Sequence, residues 1–216
     1  MVAAAELSSL EYAIVDVETT GGSASRGHRI TEVGVVCLNG EGRFIGEFKT
    51  LVNPFRPIPP SITRLTGITD GMAADAPSFA EIAPELRRWL DGRVFVAHNA
   101  GFDWRFVGFE MEQTTGIRMS APVLCTVRMA RKLVPEIRSR SLDALQSFFG
   151  VHNEARHRAY GDARATARIF RRMYFRLADQ SVFSWGELQQ LLDAPGRKGR
   201  KKKSALPTSM EFIEGC

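Results

Sequence analysis

An apolar run that ends in two acids and a turn signal occupies residues 14–21: Ile14-Val15-Asp16-Val17-Glu18-Thr19-Thr20-Gly21. Its β-branched residues predict a buried strand that stops at the Thr-Thr-Gly turn. Asp16 and Glu18 are two positions apart, so their side chains point to the same face of the strand. Two such carboxylates repel each other unless a cation lies between them. The stretch predicts a metal site at a strand end, with a solvated strand end as the simpler alternative.

A second motif, His98-Asn99-Ala100-Gly101-Phe102-Asp103, follows a short apolar run over residues 93–97. The pattern predicts a strand there and then a helix through about residue 114, for which Asn99 is a suitable N-cap. Asp103 falls in the first turn of this helix. An acid at that position is also favoured by the helix dipole alone, so the motif by itself does not establish a site.

The third motif is His157-Arg158-Ala159-Tyr160-Gly161-Asp162, at the start of a helix predicted over residues 159–177. Histidine and aspartate five positions apart do not share a helix face. A loop histidine and a helical aspartate can instead approach one point from different directions. A histidine between two arginines is otherwise simply a solvated residue.

The residue types in these motifs suit one kind of chemistry. Clustered carboxylates are ligands for hard cations such as Mg²⁺ or Mn²⁺. An imidazole is suited to take a proton from water at neutral pH. Together the motifs predict metal-assisted hydrolysis of a phosphodiester, at the end of a nucleic-acid strand.

The remaining pattern predicts an α/β fold. Strands are expected near residues 12–18, 29–38, 43–52, 93–97 and 122–126. Helices are expected over a short segment capped by Ser61 and near residues 79–90, 99–114, 126–133, 141–149 and 159–177. Three strands joined by turns, followed by strands that alternate with helices, predict a central mixed five-stranded sheet flanked by helices.

In this order and spacing, the three motifs resemble the DnaQ-like 3′–5′ exonucleases, in the histidine-containing branch that includes the epsilon proofreading subunit of bacterial DNA polymerase III. The resemblance covers about residues 10–178 and extends to Gly27–Gly34, Leu65–Thr69 and Ser141–Leu145. It implies a ribonuclease H-like fold. It also implies an activity that releases 5′-mononucleotides from the 3′ end of DNA, in proofreading or repair.

The resemblance also assigns roles to residues. Asp16, Glu18 and Asp162 would ligate one divalent ion, and Asp16 with Asp103 would hold a second. His157 would be the general base. Substrate contacts would come from residues beside these ligands: Thr19, Thr20, Gly21, His98, Asn99 and Phe102. The family usually has an apolar residue after Thr-Thr-Gly, where this chain has Gly22, so stacking on the terminal nucleotide is expected to differ.

The chain divides into an exonuclease domain, residues 1–180, and a C-terminal tail, residues 181–216. The formal net charge is +5, and residues 197–203 alone contribute six positive charges, which leaves −1 for the rest. That basic run fits two interpretations equally well: a solvated linker and a nonspecific contact with nucleic acid. Residues 206–212 resemble a sliding-clamp-binding peptide, although Pro207 stands where the motif has glutamine; the alternative is the entry to a further domain, with this chain as a fragment.

Composition restricts location and partners. No apolar stretch approaches the ~20 residues needed to span a membrane, and three cysteines form no metal-binding or disulfide pattern. We therefore expect a cytoplasmic protein. The resemblance to DnaQ-like exonucleases implies single-stranded 3′ ends of DNA as the main partner, with a polymerase subunit or sliding clamp as further partners. Two alternatives stay open: an RNA exonuclease using the same five residues, and a noncatalytic binding module.

Overall fold

The structure is a computed structural model that describes residues 4–195. Its centre is a five-stranded sheet in the order β3-β2-β1-β4-β5. The strands are β1 (Tyr12–Thr19), β2 (Ile30–Leu38), β3 (Phe44–Leu51), β4 (Val94–Ala97) and β5 (Val123–Cys125). β1, β2 and β3 pair antiparallel, whereas β4 is parallel to both β1 and β5. The mixed sheet expected from the sequence is confirmed.

The described residues, 4–195, contain eight α-helices. They are α1 (Pro60–Thr66), α2 (Asp70–Ala74), α3 (Phe79–Leu90), α4 (Gly101–Thr115), α5 (Thr126–Leu133), α6 (Leu142–Phe149), α7 (Ala159–Phe175) and α8 (Trp185–Asp193). None of the helices in this part of the chain is long and apolar enough to cross a membrane.

Two apolar layers sandwich the sheet because alternate residues of each strand face opposite sides. Tyr12 and Ile14 of β1 pack in the layer formed by α5 to α8. Ala13, Val15 and Val17 pack in the opposite layer with α3 and α4. The even-numbered residues of β1, including Asp16 and Glu18, therefore face the α7 side.

Several helix starts differ from the sequence-based prediction. The helix expected to be capped by Ser61 begins at Pro60 instead, where proline's fixed φ and missing N–H suit the first turn. α4 begins at Gly101 with Ala100 as N-cap, so Asn99 does not cap it. Asn99 has a φ of 70°, a left-handed conformation that asparagine tolerates better than most residues.

The domain continues past residue 180, where the sequence-based boundary was drawn. Ser184 and Glu187 form a capping box that starts α8. Trp185, Leu188 and Leu192 of this helix are buried in the same apolar layer as α7. The folded unit therefore includes residues 181–193, whereas the basic run and the clamp-like peptide lie outside the described residues.

Candidate active site and metal centre

Three carboxylates converge where β1 ends and α7 begins. Oxygen atoms of Asp16, Glu18 and Asp162 all lie within 4.8 Å of one another. β1 supplies the first two on one face. Asp162 lies in the first turn of α7, and this residue is 8% exposed. The sheet and the helix thus bring together residues separated by more than 140 positions in the sequence.

Asp103 reaches the same strand from the opposite layer. It lies in the first turn of α4 and is buried. Its Oδ1 accepts a hydrogen bond from the backbone N–H of Val17, at 3.1 Å. Because Val17 lies between Asp16 and Glu18, this bond fixes the carboxylate of Asp103 beside the acidic pair.

Asp162 is held by the loop that precedes α7. The Nδ2 of Asn153 donates to its Oδ1 at 2.6 Å, and the backbone N–H of His157 donates to its Oδ2 at 3.2 Å. His157 itself is half-buried and has a φ of 58°. The loop that carries the histidine is therefore tied to one of the candidate ligands.

Electrostatics show that the cluster is unfavourable without a cation. Burial raises the pKa of Glu18 to about 7, and repulsion from Asp162 and Glu32 adds to the shift. Burial, with repulsion from Asp103, Asp162 and Glu18, raises the pKa of Asp16 well above its usual range. A divalent cation among these oxygens would remove the repulsion.

The donor set tests which cation fits. The three converging groups are all carboxylates, and oxygen ligands suit Mg²⁺ and Mn²⁺ rather than soft metals. Asp103 lies next to them as a fourth oxygen donor. The cluster is therefore able to bind a divalent metal ion.

The residues expected to contact substrate after β1 are largely engaged within the protein. The hydroxyl of Thr19 donates to the carbonyl of Gly21 at 2.8 Å. The hydroxyl of buried Thr20 accepts from the backbone N–H of Arg29 at 3.1 Å. A Cβ on Gly21 would lie 2.4 Å from the His28 ring, so a larger residue there would displace that ring. These residues shape the turn next to Glu18.

The residues expected to contact substrate after β4 lie at the neighbouring strand end. The ring of His98 bonds through Nδ1 to the hydroxyl of Thr126 at 2.9 Å, and burial lowers its pKa. Asn99 is exposed, and half-buried Phe102 packs against Phe106 with ring centroids 4.9 Å apart. β1 and β4 are parallel neighbours, so both groups lie at one sheet edge. Their substrate contacts stay predictions.

Sequence reasoning did not identify Asn153, Glu32 or Arg158 as parts of the site. Glu32 lies within Gly27–Gly34, one of the stretches that resemble the family, and the signal available for it is an acid inside a β-branched strand. Asn153 carries no signal in the sequence. Its contact with Asp162 exists only because the loop before α7 folds back over the helix start.

The mixed sheet and the acidic cluster do not by themselves name a family, and comparison with known proteins assigns it. The model of the RNase_T family, described as exonuclease, matches residues 13–170. The chain therefore belongs to this exonuclease family, and its named relatives and structural neighbours place it among the DnaQ-like members.

Similar proteins come from several bacteria. The chain is 40% identical, over 84% of its length, to a putative bifunctional exonuclease/endonuclease protein of Mycobacterium tuberculosis. It is 37% identical, over 88% of its length, to a DNA polymerase III subunit epsilon-like protein of Rhodobacter capsulatus. It covers 29% and 27% of these two relatives, respectively, so it spans under a third of their length.

Solved structures agree with the fold. Exonuclease X in complex with 5′ overhanging duplex DNA superposes with a TM-score of 0.64 at 26% identity, covering 85% of this chain and 99% of that one. Escherichia coli exonuclease I in complex with a dT13 oligonucleotide gives a TM-score of 0.68 at 18% identity, covering 80% of this chain and 42% of that one. The ribonuclease H-like fold expected from the motifs is confirmed.

Proposed function

We propose that this chain is a 3′–5′ exonuclease that hydrolyses phosphodiester bonds at the 3′ end of DNA and releases 5′-mononucleotides. The observation that carries the proposal is the convergence of Asp16, Glu18 and Asp162 within 4.8 Å. The family match and the DNA-bound structural neighbour support it. Single-stranded 3′ ends are the proposed substrate, and proofreading or repair is the proposed role.

The active form would hold two divalent ions, Mg²⁺ or Mn²⁺. Asp16, Glu18 and Asp162 would bind the first, and Asp16 with Asp103 the second. Paired cations of this kind stabilise the attacking and leaving oxygens of an in-line displacement. Asp103 is suited to its part because the Val17 N–H bond keeps it against β1 even though it arises from α4.

His157 would act as the general base that takes the proton from the attacking water. Its loop is anchored at the acidic site through the bond from its own backbone N–H to Asp162. The backbone that carries the imidazole is therefore fixed beside a proposed metal ligand. Such fixed positioning of the base is what general-base catalysis requires. Thr19, Thr20, Gly21, His98, Asn99 and Phe102 would line the terminal nucleotide at the adjoining strand ends.

Relatives named as DNA polymerase III PolC-type and epsilon-like proteins support association with a polymerase. The cytoplasm is the proposed location. The chain spans 13% of one PolC-type relative, of Caldanaerobacter subterraneus, so such a polymerase would extend far beyond the matching region. A sliding clamp is the other proposed partner, through residues 206–212.

The test is nucleotide release from end-labelled single-stranded DNA and matching RNA, with Mg²⁺, Mn²⁺ or EDTA. We expect metal-dependent release of 5′-mononucleotides from DNA, starting at the 3′ end, and none from the Asp16→Ala variant. A label at the 5′ end must then appear in a ladder of shortening products. Faster release from RNA would replace the DNA assignment with an RNA exonuclease. No release from either substrate would favour a binding module.

A further inference from the structure

A further buried acid, Glu32, lies beside the acidic cluster but outside it. Glu32 of β2 pairs with Glu18 of β1 across the antiparallel ladder. It is only 6% exposed, so its charge needs a partner inside the protein. Its carboxylate is not among the oxygens that converge for a metal ion. Its position next to the site therefore calls for another explanation.

Glu32 accepts hydrogen bonds from three donor atoms at the start of α7. The guanidinium of Arg158 donates to it in a fork, from Nη2 to Oε1 at 2.7 Å and from Nε to Oε2 at 3.0 Å. The backbone N–H of Ala159 also donates to Oε2, at 2.8 Å. A carboxylate from β2 thus satisfies an unpaired N–H in the first turn of the helix, as a capping side chain would.

These bonds act on the residue that carries the imidazole. His157 directly precedes Arg158 and has a left-handed φ of 58°, which costs a non-glycine residue about 1 kcal/mol or more. Its N–H is bound to Asp162, and the carbonyl of Arg158 accepts the N–H of Asp162 at 2.9 Å. The strained residue is therefore fixed on both sides, by Asp162 and by the Glu32–Arg158 pair.

We infer that Glu32 and Arg158 are positioning residues for His157: their ion pair sets the backbone from which the imidazole reaches the attacking water. The inference rests on the proposed role of His157 as general base. Because the two charges neutralise each other, the pair fixes the loop without adding net charge beside the metal ligands. Loss of the pair then lowers the rate of the chemical step rather than the affinity for substrate.

A second buried ion pair provides a matched control. Arg29 forks onto Glu110, from Nε at 2.7 Å and from Nη2 at 2.5 Å, and the Ile30 N–H also donates to Glu110, at 3.3 Å. Like Glu32, Glu110 is a buried carboxylate that accepts from one guanidinium and one backbone N–H, and it is 1% exposed. This pair ties α4 to the start of β2. Among the described residues, it makes no hydrogen bond to the loop that precedes α7 and carries His157.

The experiment is a double-mutant cycle on the full chain with single-stranded DNA and Mg²⁺. His157→Ala is expected to lower kcat by about 10²–10⁴. Glu32→Gln alone is expected to lower kcat by about 10- to 100-fold, the cost of a misplaced group, with KM changed by less than about threefold. In the His157→Ala background, Glu32→Gln should change kcat by less than about twofold, because no imidazole is left to position.

Conservative and control variants separate positioning from stability. Arg158→Lys keeps the charge, so it should retain more activity than Arg158→Met. Glu110→Gln should lower the midpoint of thermal unfolding about as much as Glu32→Gln and lower kcat by the same factor with or without His157. Glu32→Gln should retain cation binding. This binding is measured, without DNA, as the rise of the thermal unfolding midpoint on adding Mn²⁺.

Two results would overturn the inference in distinguishable ways. An equal loss of kcat from Glu32→Gln with and without His157 would mean that the pair only stabilises the fold, and the proposed exonuclease mechanism would stand. An unchanged rate in His157→Ala would remove the general base itself, and with it both the proposed mechanism and the inference.

Discussion

At the residue scale, Asp16 is the group in which function and stability conflict. It is the only member of the acidic cluster whose pKa is raised by three carboxylates of the proposed site, those of Asp103, Asp162 and Glu18, after burial itself. A charge in such a place destabilises the metal-free fold. The cost is removed when a cation binds or when the carboxyls take up protons.

Replacing Asp16 by asparagine should therefore stabilise the metal-free protein while abolishing its activity. The amide is nearly the same size but carries no charge, so repulsion within the cluster falls and a cation ligand is lost. We expect a higher midpoint of thermal unfolding in EDTA, a smaller rise of that midpoint on adding Mn²⁺, and no nucleotide release. Differential scanning fluorimetry and the exonuclease assay measure these effects.

The matched control for this variant is Glu85→Gln, which removes the same charge from an exposed position of α3. It should leave the unfolding midpoint, its Mn²⁺ dependence and the rate unchanged. An Asp16→Asn protein that was less stable in EDTA than the wild type would contradict the account of the cluster as a site of unrelieved repulsion.

At the element scale, the site depends on how closely α7 approaches β2. Gly34 lies between Asp16 of β1 and Lys49 of β3 in the sheet. A Cβ on Gly34 would lie 2.5 Å from the backbone of Ala159 and Tyr160. Only glycine lets the first turn of α7 come this near, and that turn carries Asp162.

Replacing Gly34 by alanine should displace the start of α7 and pull Asp162 away from Asp16. Overpacking of this kind costs about 1–3 kcal/mol, and the larger effect should fall on metal binding and kcat. Chemical denaturation, Mn²⁺-dependent stabilisation and the exonuclease assay provide the measurements. Activity close to that of the wild type would show that the helix can shift without loss of the site.

Gly108→Ala is the control for that substitution. Gly108 lies inside α4, and a Cβ there would meet nothing within 4 Å. Alanine should stabilise the helix by about 0.5–1 kcal/mol and leave kcat unchanged. The pair of variants distinguishes a close backbone contact from a general effect of removing glycine.

At the scale of the whole molecule, the acidic cluster links stability to pH and to metal. Burial raises the folded-state pKa of Glu18 from 4.5 to about 7, and the pKa values of Asp16 and Asp162 are also raised. The folded protein therefore holds protons that the unfolded chain releases. Stability from this source is complete below the ordinary carboxyl range and is lost as pH rises through about 7.

We expect the unfolding midpoint in EDTA to fall as the pH rises from about 4.5 to about 7. Saturating Mg²⁺ or Mn²⁺ should flatten this dependence, because the cation replaces the protons. Asp16→Asn should show a weaker fall in EDTA than the wild type. A midpoint in EDTA that rises over the same interval would contradict the direction of the shifts at these carboxyls.

Much of the fold could be predicted from local pattern. The apolar pattern within each segment predicts the strand that carries Asp16 and Glu18, the helix over Phe79–Leu90 and the helix over Thr126–Leu133. α8 was missed because its apolar face is short and sits beyond a turn, and only its packing against the α7 layer shows that it belongs to the domain.

The sequence by itself determined the ligand types, the order of the motifs and the exonuclease family, because these depend on residue identity and spacing. Only the tertiary structure decided that the acids of β1 and α7 converge, that Asp103 enters from the other layer, that Glu32 binds the start of α7 and that Asn153 binds Asp162. Those contacts join segments far apart in the chain, and their geometry is set by sheet register and helix approach. No local pattern encodes either.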